Sequence, residues 1–297
     1  DLIGILNVCL GLSLNDCYWV VSEGFEGLFA DYNLYDNEFK KAISLIAYTG
    51  YGSAKVKGFT SSPEFTTNGM LRKGWRRING KILLYKGGTE GASNAGNEPY
   101  CEYYAAQITK AMGLNSIDYK LSSWKKSVCS VCELFTSKEL AYVPIWRFGE
   151  FKTVVDVAVY LKGLGQTFYD DFVDMMIFDA LIYNTDRHQG NFGLLVDNKT
   201  NKPISLAPIF DNGLGLFPYA VNTDMVDLKA YANTRASAFG VSFDDIAKAY
   251  ITDRQRRQLK PITTFKFKMD RNYNLPAKRV KALERFVRER ARELMRF

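Results

Sequence analysis

Apolar residues recur along this chain with two periods, and one nearly unbroken stretch, Phe172 to Tyr183, predicts a helix covered on every side rather than a surface amphipath. It breaks into Asn184, Asp186, Arg187, His188, Gln189 and Asn191, a density of polar side chains that folding does not require. Upstream, Cys17 to Val21 reads as a strand, and Phe39, Ala42, Ile43 and Ile46 recur at helical spacing between Glu38 and Tyr48. Trp75 to Ile78 and Lys81 to Lys86, joined by Asn79-Gly80, read as a tight hairpin. Pro99 opens a helix that buries Cys101, Tyr104, Ala105, Ile108 and Met112 and ends at Gly113.

Val128 to Phe135 reads as a further strand, and the pattern turns helical over Val154 to Leu164 and Phe168 to Tyr183. After Asn191 a second hairpin is expected, with strands Phe192 to Val196 and Ile204 to Phe210 around the turn residues 197–203. A hairpin returns the chain to its starting point, so Asp186, Asn191 and Asp211 should converge. Ser242 with Asp245 resembles a capping box, and Pro276 opens a last helix with Val280, Leu283, Phe286 and Leu294 inward. The class is therefore α+β, strand-rich at first and helical later, with a division near Phe135 into residues 1–135 and 136–297.

Composition narrows the setting. Five cysteines, an odd number in 297 residues, argue against a disulfide framework and for a reducing compartment, the cytoplasm. Cys129-Ser-Val-Cys132 has no second pair or nearby histidine and reads as part of a strand. No stretch reaches the roughly 18 apolar residues of a membrane span; Leu2 to Leu12 is short, lacks a basic leader and reads as a trimmed start. Residues 254–297 carry a net +11 and the rest −4. The arginines of the last helix read as a solvated face, with contact to nucleic acid or an anionic membrane only weakly supported.

The candidate chemistry is metal-dependent phosphoryl transfer, which needs charge neutralisation on phosphate and a hydroxyl aimed in line. Mg²⁺ takes hard oxygen ligands and keeps several waters, so Asp211 and Asn191 suffice as protein ligands. Asp186 is then left to accept a hydrogen bond from the attacking hydroxyl. His188, the one histidine, is an alternative base. Lys86, at the end of an apolar strand, and Glu102, in the helix after it, follow the order of the lysine–glutamate pair that positions ATP phosphates in protein kinases. Gly69 could let backbone N–H groups approach a phosphate. Four residues separate Asp186 from Asn191, the kinase catalytic-loop interval, and Asp211-Asn-Gly stands where that pattern has D-F-G.

The segments Asn184-Thr-Asp-Arg-His-Gln-Gly-Asn191-Phe-Gly and Ala207-Pro-Ile-Phe-Asp-Asn-Gly213 resemble HipA-like serine/threonine kinases, especially their compact branch. The resemblance covers roughly residues 60–297 and extends to Thr66-Thr-Asn-Gly-Met-Leu-Arg-Lys73 as the phosphate loop. It also matches Lys86 to the ATP lysine and Cys132-Glu133-Leu134-Phe135 to the adenine-contacting linker. It implies a two-lobed protein-kinase-like fold akin to HipA and phosphoinositide kinases, with a β-rich N-lobe and a mainly helical C-lobe. ATP with Mg²⁺, a protein substrate bearing a Ser or Thr acceptor, and self-phosphorylation are implied as well. Binding roles follow for Gly69, Lys73, Lys86, Glu102, Glu133 and Phe135, metal roles for Asn191 and Asp211, and catalytic ones for Asp186, Arg187 and His188. Arg187 is expected to pair with phosphate or a loop carboxylate. Two other readings stay open: a lipid kinase, since phosphoinositide kinases share Asp-Arg-His-x-x-Asn, and an inactive nucleotide-binding adaptor.

Overall fold

The computed structural model describes residues 2–50, 62–63, 71–92 and 94–297. Helices α1 (Leu2–Cys9), α2 (Phe29–Tyr32) and α3 (Lys41–Thr49) precede the hairpin β1 (Lys73–Ile78) and β2 (Lys81–Gly87). Asn79 and Gly80 both have positive φ, 51° and 77°, as a two-residue hairpin turn requires. Helix α4 (Glu98–Met112) follows and ends on Gly113 at φ 73°, whose N–H reaches the carbonyls of Lys110 and Thr109. Strands β3 (Lys120–Trp124) and β4 (Ser127–Glu133) complete a sheet of order β1-β2-β4-β3.

Successive residues of a strand face opposite sides, and the sheet sorts its residues accordingly. Tyr85, Val131 and Cys129 pack with Tyr48 of α3 and with Trp124. Leu84 and Cys132 pack on the other side with Ala106 of α4. Lys86 shares the Leu84 side, which aims it at α4. Cys129 and Cys132, three apart, fall on opposite faces, and both are free thiols.

A three-stranded sheet follows, β5 (Leu140–Pro144), β6 (Gly193–Asp197) and β7 (Pro203–Leu206), in the order β5-β6-β7. Between β5 and β6 run α5 (Val154–Leu164) and α6 (Gln166–Ile182). Thr153 and Asp156 form a capping box that starts α5. Every residue of α6 from Phe172 to Ile182 is buried, against α5, α8 (Phe243–Tyr250) and α10 (Ala277–Leu294). Helices α7 (Leu228–Ala232) and α9 (Asp253–Leu259) complete the helical part. Asp174 of α6 is satisfied by Arg254, Gln255 and Gln258 of α9. No helix among the described residues is long and apolar enough to cross a membrane.

Four expectations change. Residues 17–21 form no strand: the Ser13 and Asp16 side chains capture the backbone N–H groups of Asn15 and Tyr18, and Tyr18, Val20 and Val21 stay exposed. Strand β3 escaped notice because its turn to β4 is Lys125-Lys126, both at positive φ, where Asn or Gly is the usual signal. The return strand of the second hairpin stops at Leu206, because Pro208 has no N–H to donate. Ile209 then bonds Asn115 and Ile117, carrying the chain beneath α4. The last helix is not simply a solvated face: Arg290 is 4% exposed, donates to the Ala180 carbonyl near the end of α6 and pairs with Asp244, while Arg279 holds the Phe217 and Ala220 carbonyls.

Gly193 opens β6 opposite Pro144, and a Cβ there would lie 2.2 Å from the Val143 oxygen and 2.7 Å from Pro144 Cα. Gly193→Ala must therefore push β5 and β6 apart. We expect a loss of about 1–3 kcal/mol or more in urea denaturation, the usual range for overpacking.

Candidate active site

The polar loop begins where α6 stops. Tyr183 takes the left-handed conformation, φ 54°, and its N–H bonds Asp179 O. Asn184 is fully buried; its Nδ2 donates to Asp179 Oδ1 at 3.1 Å and its Oδ1 accepts from Asp186 N at 3.2 Å. His188 N donates to Asp186 O, and Asn191 N donates to His188 O, each at 2.8 Å. The Tyr142 hydroxyl donates to Gly190 O at 2.9 Å, tying the loop to β5.

Arg187 is the clamp of this arrangement, and here the expectation is corrected. It is 2% exposed and faces neither solvent nor a loop carboxylate. Its Nε and Nη2 meet the two oxygens of Asp179, one helix turn back inside α6, at 2.9 and 3.1 Å. Nη1 donates to Asn191 O at 3.0 Å and Phe210 O at 2.5 Å, and Nη2 to Asn212 Oδ1 at 2.6 Å. One guanidinium thus locks the helix, the loop and the end of the hairpin together. With its donors so used, Arg187 positions the site.

The expected convergence is present. Asn191 Nδ2 donates to Asp186 O at 2.9 Å and to Asp186 Oδ2 at 3.2 Å, which leaves Asn191 Oδ1 as the candidate metal ligand. Asp211, at φ 54°, follows Phe210 directly, so the Arg187 clamp fixes it relative to Asn191. Lys86, 5% exposed, pairs with Glu102 and with Asp211, whose Oδ1 lies 2.5 Å from Nζ. The other oxygen of Glu102 accepts the Asn212 N–H at 3.0 Å. Lys73 stands directly opposite Lys86 in the β1–β2 register, which puts both lysines on one side of the sheet.

The charges explain one another. Burial favours a neutral Lys86, but Asp211 and Glu102 outweigh it and raise its pKa. Burial pushes Glu102 up, against the pull of Lys86 and of the Asn212 N–H. Burial also opposes ionisation of Asp211, yet Lys86, Lys73 and Arg187 hold its carboxyl at about 2. Asp186 is raised, chiefly by burial, with His188 pulling the other way. Because the Asp211 carboxyl is held below its ordinary range, its contribution to stability is present above the unfolded value of about 3.9 and lost as pH falls through 2. The stability gap between the wild type and Asp211→Asn, followed by thermal unfolding, should be constant above about pH 5 and close toward pH 2.

The remaining expected residues are placed unevenly. Phe135 stacks on Phe210 at 5.4 Å and Tyr142 at 5.6 Å, beside the residue that precedes Asp211. Glu133 points its side chain to an exposed pair with Lys81 at 2.6 Å, so only its backbone is left for a nucleotide. The reason is register: Glu133 lies opposite Leu83, on the side away from Lys86. His188 is exposed, and its Nδ1 accepts the Gly190 N–H at 3.0 Å. Gly69, with Thr66 and Thr67, lies outside the described residues.

Several participants were not foreseen. Asp179 could have been found as one of two carboxylates in the otherwise apolar stretch Phe172 to Tyr183, since a buried charge needs a partner. Asn212, Tyr119, whose hydroxyl accepts from Asp211 N at 3.3 Å, and Glu98, which accepts from the Tyr219 hydroxyl at 2.8 Å, gave no such signal. Among the described residues no group of three or more His, Cys, Asp and Glu forms a metal cluster. A Mg²⁺ site of one carboxylate and one amide oxygen needs none, and an ionised Asp211 with a free Asn191 Oδ1 fits that donor set.

No protein-family profile matches the chain. It is 29% identical over 153 residues to the serine/threonine-protein kinase CtkA of Helicobacter pylori (strain J99 / ATCC 700824), across 46% of each protein. The match therefore spans about half the length of that curated relative. The crystal structure of a Helicobacter pylori proinflammatory kinase, CtkA, superposes with a TM-score of 0.60 at 19% identity, covering 77% of this chain and 90% of that one. Sequence and fold are thus similar to those of the CtkA kinase. Its α+β fold is of the kinase type, with mixed helices and antiparallel sheets. Shewanella oneidensis MR-1 HipA, solved with HipB and operator DNA, aligns at a TM-score of 0.45 and 11% identity, over 74% of this chain and 63% of its own.

Proposed function

We propose that this protein is an ATP- and Mg²⁺-dependent phosphotransferase that modifies serine or threonine hydroxyls of proteins, itself included. The observation that carries this reading is the buried Lys86, paired at once with Glu102 and Asp211, beside a loop in which Asn191 holds Asp186. The similarity to CtkA supports a kinase-like function, and that relative's name as a serine/threonine-protein kinase supports protein as the acceptor.

In this reading residues 1–135 supply the phosphate grip and residues 136–297 the proton handling. Lys86, kept protonated and fixed by two carboxylates, offers its charge to the ATP phosphates, with Lys73 alongside. Asp211 and Asn191 hold the metal; Mg²⁺ supplies neutralisation of phosphate charge when bound. Asp186, part-exposed and aimed by Asn191 Nδ2, accepts the acceptor hydroxyl's proton. Arg187 and Glu102 keep the two halves in register.

A mass spectrum of the purified protein before and after incubation with Mg²⁺ and ATP tests this. Whole phosphate increments in the wild type, absent from Asp211→Ala and absent when the metal is chelated, are expected. An unchanged mass together with no transfer to a generic protein substrate would defeat it, and label found only in extracted lipid would favour the lipid-kinase alternative.

A further inference from the structure

At the β1 edge of the four-stranded sheet a cavity of about 340 Å³ lies between α3, β1 and the β3–β4 turn, within the size range of small-ligand sites. None of its described lining residues belongs to the Lys86 site. Its charge is one-sided: Lys41, Arg76, Arg77 and Lys125 line it against the single acid Glu38. Arg77 Nε is 4.0 Å from Glu38 Oε1, too long for a hydrogen bond.

A buried hydroxyl in this lining has no hydrogen-bond partner among the described residues. Ser44 is 3% exposed and no hydrogen bond reaches its Oγ, whereas Arg77 is held by its Nη2 bonds to the Leu34, Tyr35 and Asn37 carbonyls. Such a hydroxyl is costly to bury unless something satisfies it. The walls are aromatic and rigid. Trp124 is held between Tyr48, at 4.2 Å, and the Arg76 guanidinium, 5.1 Å from its ring; Arg76 also lies 4.7 Å from the Tyr85 ring. Gly74 makes room for this stack, since a Cβ there would come within 2.7 Å of the Trp124 ring. An arginine held against aromatic rings keeps N–H groups for an anion, and its planar fork suits bidentate phosphate recognition.

We propose that this cavity binds a phosphate monoester carried on an aromatic stem. The phosphate meets Arg76, Lys41 and Lys125 and satisfies Ser44 Oγ, while the ring packs against Trp124. The ester can be a free small molecule or a phosphorylated tyrosine side chain in a peptide, since both present the same group.

Phenyl phosphate, titrated calorimetrically into the full chain with saturating ADP present, is the direct probe. Saturable binding is expected, weakened about tenfold or more in Arg76→Gln and severalfold in Ser44→Ala, as for loss of a charged and a neutral hydrogen bond respectively. Ser44→Ala should leave the melting temperature unchanged, because the hydroxyl has no partner to lose. Lys125→Ala, at an exposed turn, is a second variant that retains the fold and should also weaken binding. A phosphotyrosyl peptide that binds more tightly than phenyl phosphate assigns the source to protein, and equal affinity assigns it to a free ester. The proposal is overturned if phenyl phosphate does not bind, if ADP abolishes its binding, or if folded Ser44→Ala, Arg76→Gln and Lys125→Ala proteins bind it as well as the wild type.

Discussion

Asp186→Asn is expected to slow phosphoryl transfer by about 10²–10⁴-fold, the usual worth of a positioned general base, with nucleotide affinity and melting temperature close to those of the wild type. The substitution keeps the side-chain shape and the Asn191 Nδ2 contact to the Asp186 carbonyl at 2.9 Å, removing only proton acceptance. His188→Ala separates the two candidate bases. His188 is exposed and its Nδ1 serves the Gly190 N–H, so its loss should cost less than tenfold; a loss as large as that of Asp186→Asn would move the base to His188. The pH profile carries a second signature. Because burial raises the Asp186 carboxyl, the rate should fall on its acid limb at a pH above the ordinary aspartate range.

The largest expected effect on stability belongs to Arg187. Arg187→Ala strands Asp179 in the core of α6 at 3% exposure and frees the carbonyls of Asn191 and Phe210. Breaking a buried ion pair from one side costs about 3–5 kcal/mol, which urea denaturation reads directly. The double variant Arg187→Met with Asp179→Leu should recover much of that stability, since no uncompensated charge remains. It should not recover activity, because the clamp between the loop and the Asp211 segment is gone.

What the chain revealed in advance was what local patterning controls. The Asn79-Gly80 turn, the run into Lys86 and the Pro99 helix each follow from short-range rules, and their order brought Lys86 and Glu102 together. The second hairpin returned Asp211 to the loop for the same reason. What stayed hidden depends on contacts distant in sequence. Asp179 and Arg187 are eight residues apart and meet only because the chain doubles back past Tyr183. Arg290 and Arg279 looked solvated because helical periodicity does not show which charged residue reaches inward to cap α6 or hold the loop at 217–220. The Cys17 to Val21 stretch had strand composition but no partner edge, and backbone capture by Ser13 and Asp16 prevailed.

The central claim is that Asp186, Asn191 and Asp211 form one phosphoryl-transfer site with Lys86. It is tested most directly by following transfer from γ-labelled ATP in the presence and absence of Mg²⁺. Wild type, Asp186→Ala and Asp211→Ala are compared, with nucleotide binding measured on the same samples. The account predicts label in the wild-type protein or a generic substrate with Mg²⁺ only, and almost none in either variant. Equal, background-level incorporation by all three proteins while ATP still binds would contradict it.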